Sequence, residues 1–296
     1  MRKCGYVAII GKPNAGKSTL MNALLGCELS IVNKKAQTTR NKILGIFTEK
    51  NIQIVFIDTP GLFEPKYELQ KFMMSELKSS FKEADIILHI IDVTEFSMRA
   101  LKDIEDRFAK EFKGKKRIVV LNKIDLEEQD DVKSKMVMLK EEFKFETIIP
   151  ISAKEDFNLT EVQREITDNL PVSEFFFDDE ILTDKPEKFF VAEIIRQKIL
   201  DLYQDEVPYS DYVDIVEFIE RKDAKDYINA EIVLERETQK IIFIGRNGDK
   251  IKMLGKFARE GIEKFLKKEV YLKLFVKVRK DWRKDKKFLR DAYKNQ

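Results

Sequence analysis

Short apolar runs alternate with longer amphipathic stretches through the first half of the chain. Each run holds four to six residues and is rich in Ile and Val. Runs that are hydrophobic at every position suit parallel strands covered by helices on both faces. The runs are Val7–Ile10, Ile54–Ile57, Ile86–Ile91, Ile118–Leu121 and Ile148–Ile151, and the amphipathic stretches include Ser18–Leu25, Glu68–Phe81, Met98–Phe112 and Asp131–Phe143. This alternation predicts an α/β fold with a doubly wound, mostly parallel sheet.

The pattern changes after Pro171. Residues 172–188 contain one proline, several acids and three consecutive phenylalanines, Phe175 to Phe177, and we interpret them as a linker that packs against one domain. Beyond the linker, an α+β module with an antiparallel sheet is expected. Its predicted helices are Phe189–Tyr203 and Gly248–Leu266, and its predicted strands are Tyr212–Ile219, Tyr227–Leu234 and Val270–Val278. The expected organisation is a first domain at 1–171, a linker at 172–188 and a second domain at 189–296.

Composition narrows the possible chemistry. The 296 residues include 55 Lys and Arg against 53 Asp and Glu, a formal net charge of +2. Two cysteines, Cys4 and Cys27, form neither a disulfide framework nor a zinc site. The single histidine, His89, excludes a site with several His ligands, and its apolar surroundings predict a buried structural role. No run approaches the roughly 18–20 apolar residues that span a bilayer, and the first run is too short for a signal peptide, so a cytoplasmic location is expected.

A phosphate-binding loop follows the first predicted strand. The segment Gly11-Lys12-Pro13-Asn14-Ala15-Gly16-Lys17-Ser18 matches G-x-x-x-x-G-K-[ST] and leads into a predicted helix. Glycines let the backbone curl so that N–H groups face phosphate oxygens, and the helix N-terminus adds favourable partial charge. Lys17 is expected to bridge the β- and γ-phosphates, and the Ser18 hydroxyl to ligate Mg²⁺. The predicted nucleotide-binding residues of this loop are Asn14, Ala15, Gly16, Lys17, Ser18 and Thr19.

Three further motifs follow in order, each at the end of a predicted strand. Asp58-Thr59-Pro60-Gly61 supplies an Asp that can hold Mg²⁺ through water and a glycine whose N–H can approach a γ-phosphate. Asn122-Lys123-Ile124-Asp125 supplies a carboxylate that accepts two hydrogen bonds from guanine, whereas adenine has no donors at those positions. Ser152-Ala153-Lys154 suits a backbone contact to the guanine O6. The set predicts a guanine-nucleotide site and resembles that of the translation-factor-related GTPases.

Candidate catalytic residues are Lys17, Thr39, Asp58 and Gly61. Thr39, or alternatively Thr38, would join Ser18 and Asp58 around Mg²⁺ only when a γ-phosphate is present, which couples nucleotide state to loop order. Leu62 follows Gly61 at the position where many GTPases have a water-orienting glutamine. Slow intrinsic hydrolysis is therefore expected, with a partner, a switch residue or a monovalent cation supplying the missing stabilisation.

Asn14 is a candidate K⁺ ligand, because its loop is similar to that of GTPases with the same G-x-P-N-x-G-K-S sequence. A turn-forming role for Asn14 is equally compatible with the sequence.

A second loop in the predicted α+β module has the spacing of an RNA-binding element. Gly245 and Gly248 form a G-x-x-G motif at the start of a predicted helix, and two glycines let an RNA backbone approach closely. From Lys240 to Arg290 there are 18 Lys and Arg against six Asp and Glu, a basic bias suited to phosphate contacts. Trp282 and Tyr271 could stack on bases, although packing in a core or against a partner is favoured for both. The candidate RNA-binding residues are Ile244, Gly245, Arg246, Asn247, Gly248, Lys250 and Lys252.

Nearly the whole chain resembles the Era family of bacterial ribosome-assembly GTPases, in which a P-loop GTPase domain precedes a type II KH domain. Segments that carry the resemblance are Gly11–Thr19, Lys35–Arg40, Asp58–Leu62, Asn122–Asp125, Ser152–Lys154, Ile194–Lys198 and Gly245–Lys252. The resemblance implies GTP-gated binding to the 3′ end of 16S rRNA, a role in maturation of the small (30S) ribosomal subunit, and peripheral association with the cytoplasmic face of the inner membrane. A monomer with Mg²⁺ as cofactor is expected.

Two other functions remain compatible with the sequence. In one, the basic second domain of a GTPase binds membrane or protein rather than RNA. In the other, an RNA-binding protein carries a degenerate nucleotide site, although the intact Lys17, Ser18, Asp58 and Asp125 disfavour it.

Overall fold

The computed structural model describes residues 1–33, 35, 38–204 and 209–294, with the side chain of residue 294 excepted. The chain divides into two compact units. Unit 1 comprises residues 1–65 and 73–184, and unit 2 comprises residues 66–72 and 185–296. This division differs from the sequence-based one, because residues 172–184 group with the first unit and the segment 66–72 groups with the second.

Unit 1 is built on one sheet with helices on both faces. Within the described residues the sheet has six strands in the order β2-β3-β1-β4-β5-β6, and all neighbours are parallel except the β2/β3 pair. The strands are β1 (Lys3–Ile10), β2 (Ile43–Glu49), β3 (Ile52–Asp58), β4 (Ile86–Asp92), β5 (Lys116–Asn122) and β6 (Thr147–Pro150). The helices are α1 (Lys17–Leu25), α2 (Glu68–Glu83), α3 (Met98–Arg107), α4 (Ala109–Phe112), α5 (Gln129–Phe143) and α6 (Leu159–Asn169). The start of α2, residues 68–72, belongs to the segment that groups with unit 2. The doubly wound, mostly parallel sheet is confirmed.

The apolar runs form strands because both of their faces are buried. In β1, Val7 and Ile9 enter a cluster on one side of the sheet, whereas Ala8 and Ile10 enter a cluster on the other. His89 in β4 is 1% exposed, and burial lowers its pKa to about 3, with Arg117 acting in the same direction. The expected burial of His89 is confirmed, and it is neutral at physiological pH.

The edge strand β2 was not anticipated from the sequence. Ile43 and Ile46 are buried, but Gly45 interrupts the apolar pattern. A Cβ on Gly45 would lie 2.5 Å from Cδ1 of Leu25, so a larger residue there would force the Leu25 side chain to move. Glycine lets β2 lie close to α1 without that displacement.

The expected linker lies on unit 1 and is anchored by a buried glutamine. Gln53 is 0% exposed; its Oε1 accepts from the amides of Phe176 and Phe177, and its Nε2 donates to the Phe177 carbonyl at 2.9 Å. The ring of Phe176 stacks on Tyr6 at 5.2 Å between centroids. The packing of these phenylalanines against one domain is confirmed.

Unit 2 has the element order helix-strand-strand-helix-helix-strand, followed by a further helix. The elements are α7 (Glu187–Leu202), β7 (Tyr212–Ile219), β8 (Asp226–Leu234), α8 (Glu237–Ile244), α9 (Asp249–Leu266), β9 (Val270–Val278) and α10 (Lys286–Lys294). The prediction of an antiparallel sheet is wrong, because β7/β8 is antiparallel but β8/β9 is parallel. The two helices between β8 and β9 return the chain to the start of β8, so the last strand runs in the same direction.

The core of unit 2 buries α7 and α9 against one face of the sheet. Trp282 is 0% exposed and donates from Nε1 to the Ser210 carbonyl at 3.1 Å, so it is a core residue and cannot stack on bases. Tyr271 is 57% exposed and stacks on Tyr227. Across the described ranges, none of the helices combines the length and apolarity needed to cross a membrane.

Candidate functional site

The phosphate loop joins β1 to α1 and has the backbone conformation that its glycines allow. Gly16 has φ 98°, and a Cβ there would lie 2.3 Å from Nδ2 of Asn122. A Cβ on Gly11 would lie 2.4 Å from the Ile90 carbonyl. Asn14 has φ 63° and is exposed at the tip, whereas Ala15 is buried beneath it. Only glycine at the two ends lets the loop curl this closely around the start of α1, where Thr19 lies in the first turn.

Lys17 is the buried cation of this loop. It is 7% exposed, and its Nζ donates to the Lys12 carbonyl at 2.9 Å. Burial lowers its pKa to about 8, while the Asp58 carboxylate acts in the opposite direction. An ammonium group held in this way is suited to pairing with phosphate oxygens, which would replace the solvation that burial removes.

Three side-chain oxygens converge next to Lys17. The Ser18 hydroxyl donates to Oδ2 of Asp58 at 2.7 Å, the Thr39 hydroxyl donates to the same oxygen at 3.2 Å, and the two hydroxyls lie 3.2 Å apart. Thr38 instead donates to the Lys35 carbonyl at 2.9 Å. Of the two threonines, Thr39 is the one that lies with the other two oxygens. Ala36 and Gln37, which belong to the segment Lys35–Arg40 noted in the sequence, lie outside the described residues.

This oxygen cluster fits a magnesium ion. Asp58 is 0% exposed, and its Oδ1 has no hydrogen-bond partner in the part of the chain that the structure describes. Burial raises the pKa of Asp58, and the Ser18 hydroxyl and the Lys17 ammonium act against it. Hydroxyl and carboxylate oxygens are the donors that Mg²⁺ prefers, and a cation there would compensate the buried charge.

The loop after Asp58 lies directly against the phosphate loop. A Cβ on Gly61 would lie 2.7 Å from the Pro13 nitrogen, and the Leu62 amide donates to the Gly11 carbonyl at 2.9 Å. The Leu62 side chain is 6% exposed and packs with Ile10 in a core cluster. The side chain that replaces the usual glutamine therefore points into the core.

Asn122 connects the phosphate loop to the loop after β6. Its Nδ2 donates to the Ala15 carbonyl at 2.8 Å, and its Oδ1 accepts from the Ala153 amide at 2.9 Å. Ser152 and Ala153 are buried, whereas Lys154 is exposed and pairs with Glu155. The side-chain amide of Asn122 therefore fixes the relative positions of three loops that are distant in sequence.

Lys123 and Asp125 flank the expected guanine position in different ways. Lys123 has φ 67°, and its Nζ pairs with Asp92 at the end of β4. Asp125 is exposed and forms no hydrogen bond or ion pair with any other described residue, so its carboxylate is available to a base.

Asp92 is a functional residue that sequence reasoning missed. Its Oδ1 accepts from the amide and hydroxyl of Thr94 at 2.9 and 2.7 Å, which leaves Oδ2 directed at Lys123. The available signal was its position at the carboxyl end of a predicted parallel strand, the same position that Asp58 occupies.

The G-x-x-G loop of unit 2 joins α8 to α9. Gly245 and Gly248 have φ 76° and 75°, and Asn247 between them has φ 56°. A Cβ on Gly245 would lie 2.3 Å from Oδ1 of Asp249. Arg246 and Asn247 are exposed at the tip. Ile244 ends α8, while Lys250 and Lys252 lie exposed in the first turn of α9. The candidate RNA-binding residues therefore lie together.

Exposed apolar side chains flank this loop, and the sequence did not single them out. Ile241 and Ile242 of α8 are 71% and 52% exposed, and Met253 and Phe257 of α9 are 50% and 38% exposed. Apolar side chains beside a backbone-binding loop provide surfaces on which unstacked bases can pack. Their signal in the sequence was weak, because the same residues at helical spacing also suit a core.

Two family models match the chain. The model described as 50S ribosome-binding GTPase matches residues 6–123, and the KH domain model matches residues 206–283. Among curated proteins, the chain is 41% identical to GTPase Era of Lacticaseibacillus paracasei, covering 97% of this chain and 95% of that protein. It is 40% identical to GTPase Era of Staphylococcus haemolyticus, covering 97% and 96%.

Two solved structures are similar over nearly the full length. The crystal structure of Era in complex with MgGDPNP and nucleotides 1506–1542 of 16S ribosomal RNA matches with a TM-score of 0.94 and 41% identity, covering 99% of both chains. An Aquifex aeolicus Era variant bound to GDP·AlF4⁻ matches with a TM-score of 0.93 and 41% identity, covering 98% of both.

Proposed function

This chain belongs to the Era family of GTPases, and from that premise we propose that it uses GTP hydrolysis to gate its binding to the 3′ end of 16S rRNA during maturation of the small ribosomal subunit. The observation that carries the proposal is the convergence of Ser18, Thr39 and Asp58 beside Lys17, in a chain that also presents an exposed G-x-x-G loop. The reaction converts GTP and water to GDP and phosphate.

Different residues of unit 1 bind the phosphates, the metal ion and the base. Lys17 pairs with the phosphates, and the backbone amides at the start of α1 face them. Mg²⁺, held by Ser18, Thr39 and Asp58, would neutralise charge on the phosphate oxygens. Asp125 selects guanine, while Asn122 holds the phosphate and base loops in register. Thr39 lies in a loop rather than in α1 or β3, so its position depends on whether a γ-phosphate is bound.

Hydrolysis without help is proposed to be slow. The position after Gly61 holds a buried leucine, and no side chain there can orient the attacking water. We propose Asn14, exposed at the tip of the phosphate loop, as a ligand of K⁺ that stabilises the transition state. The test is GTP turnover in K⁺ against Na⁺ for the unmodified protein and for Asn14→Ala. Equal rates in both salts would contradict the K⁺ role and leave the GTPase assignment unaffected.

RNA recognition is assigned to the G-x-x-G loop and its flanks. One relative was solved with a 16S rRNA fragment, and this chain matches it over 99% of its length. The glycines admit the RNA backbone, Arg246, Lys250 and Lys252 meet phosphates, and the exposed apolar side chains of α8 and α9 support bases.

The deciding experiment measures the affinity of the full chain for a 16S rRNA 3′ fragment in the presence of GDPNP and, separately, GDP. Tighter binding with GDPNP is the expected result. Equal affinities would contradict gating, and no binding in either state would contradict the RNA assignment.

A cytoplasmic location with peripheral association to the inner membrane, as a monomer, is part of the proposal. The membrane association is supported by the basic bias between Lys240 and Arg290, which suits anionic lipid headgroups. Co-sedimentation with anionic and with zwitterionic vesicles tests the membrane part, and light scattering of the purified protein tests the monomer.

A further inference from the structure

Residues 182–184 of the linker lie along the outer edge of β2. The Ile46 amide donates to the Leu182 carbonyl at 2.8 Å, and the Leu44 amide donates to Oδ1 of Asp184 at 3.2 Å. Because β2 is the edge strand, these two amides point away from β3 and would otherwise face solvent. The linker thus covers the edge by one backbone bond and one carboxylate bond.

The same strand is tied to the nucleotide site at its beginning. Ile43 is opposite Asp58 in the β2/β3 register, and Thr39, four residues earlier, donates to Asp58. Lys42 between them pairs with Glu83 of α2 at 2.6 Å. The segment from Thr39 to Ile43 is short and leads directly into β2. A movement of Thr39 is therefore transmitted to the start of β2, next to the Leu44 amide.

The linker is attached to unit 1 at two places, and the two attachments differ in burial. At Phe176 and Phe177 the linker is bound by the fully buried Gln53 through three hydrogen bonds. At the edge of β2 the linker is held through the Leu182 carbonyl and, two residues later, through the exposed Asp184 carboxylate on the Leu44 amide. A hydrogen bond to an exposed carboxylate opens far more readily than a buried network, so Asp184 can release Leu44 while the bonds to Gln53 persist.

We propose that Asp184 is a nucleotide-dependent latch: it binds the Leu44 amide when Thr39 is drawn to Asp58 by the GTP state, and releases it after hydrolysis. The proposal rests on the GTP-dependent switch of the proposed function and adds the means by which the switch reaches the linker. Asp184 is the last residue of unit 1. Its bond to the Leu44 amide therefore fixes where the chain leaves that unit.

Hydrogen exchange of the full chain in GDPNP and in GDP tests the latch without RNA. The Leu44 amide is expected to exchange about fivefold more slowly in GDPNP, the effect of about one hydrogen bond. The Phe176 and Phe177 amides are expected to exchange equally in both states. Equal exchange at Leu44 in the two nucleotides overturns the latch, whatever the protein does with RNA.

Three variants test whether the Asp184 carboxylate itself causes the nucleotide difference in exchange at Leu44. Asp184→Ala removes the acceptor and is expected to abolish the nucleotide difference at Leu44, whereas Asp184→Asn keeps an acceptor oxygen and is expected to retain most of it. Asp179→Ala is the matched control, because Asp179 is exposed on the same linker and its side chain forms no hydrogen bond or ion pair with another described residue. Loss of the difference in the control, or its survival in Asp184→Ala, overturns the proposal.

An RNA measurement links the latch to function. In Asp184→Ala, the ratio of rRNA-fragment affinities in GDPNP and GDP is expected to fall toward one, with GDP affinity changed less than about twofold. If the unmodified protein shows no such ratio, the proposed function fails while the exchange result on Leu44 still decides the latch. A preserved ratio in Asp184→Ala contradicts the coupling.

Discussion

Asn122 donates to the carbonyl of Ala15 at 2.8 Å, and this bond ties the base-recognition loop to the phosphate loop 107 residues earlier. The other side of the same amide accepts from Ala153. One side chain thereby positions the three loops that surround a guanine nucleotide, and it is almost completely buried.

Replacing Asn122 with alanine is expected to weaken GDP and GTP binding together. Two hydrogen bonds are lost and two buried backbone groups lose their partner, a cost of about 2 kcal/mol or roughly 30-fold in affinity. Isothermal titration of both nucleotides measures it. Asn169→Ala is the control, since among the described residues the Asn169 side chain bonds only to Glu165 within α6, and the affinities of this variant should stay within about twofold. Unchanged binding by Asn122→Ala would contradict this role.

The affinity for GDP is expected to fall as the pH rises above about 8. Burial lowers the pKa of Lys17 to about 8, so the free protein loses the Lys17 proton above that pH, while phosphate pairing needs the ammonium form. Affinity should be flat below pH 8 and decline by up to about tenfold per pH unit above it. Titrations from pH 6.5 to 9.5 measure the profile. Lys17→Met should bind weakly with no such decline, and a decline of equal steepness in Lys17→Met would assign it to another group.

Asp58→Asn is expected to stabilise the protein without nucleotide while removing its Mg²⁺ response. Burial raises the pKa of Asp58, so the folded protein disfavours the charged carboxylate and its stability rises as the pH falls toward that pKa. The neutral amide avoids this cost and can still accept from Ser18. Thermal unfolding in EDTA should show a Tm higher by about 2 °C or more.

The same variant is expected to bind GDP with equal affinity with and without Mg²⁺, whereas the unmodified protein binds more tightly with the metal. A preserved Mg²⁺ effect in Asp58→Asn would remove Asp58 from the ligand set.

Gly248→Asp is expected to weaken rRNA-fragment binding by at least about tenfold and to leave GTP turnover unchanged. The new side chain has room, since the nearest atom is a methyl of Ile251 at 3.9 Å, but its carboxylate would face the RNA phosphates. Gly114→Asp is the matched control, because Gly114 also has a positive φ and open space but lies in unit 1.

The membrane alternative is decided by the same pair of variants. If Gly248→Asp leaves RNA binding intact, and Gly248→Asp and Gly114→Asp both sediment with anionic vesicles, the basic residues of unit 2 bind a lipid surface. If RNA binding is lost while vesicle binding stays, RNA is the ligand of the loop.

Several elements escaped sequence reasoning for one shared physical reason. The strand β2 lies close to α1 at Gly45 and pairs with β3, and β9 is parallel to β8 because two packed helices intervene. The choice of Thr39 over Thr38 depends on where Asp58 lies in space. Each is a contact between residues far apart in the chain, and residue patterns within a short window carry no information on it.

The sequence by itself determined the nucleotide chemistry, the strand-helix alternation and the basic G-x-x-G module. Those features are local: a phosphate loop needs glycines next to Lys17 and Ser18, and a buried strand needs consecutive apolar residues. The tertiary structure decided which side chains meet, including Asn122 with Ala15, Asp92 with Lys123 and Asp184 with Leu44. Packing of distant segments creates these pairs, and it brings three separate loops to one edge of the sheet.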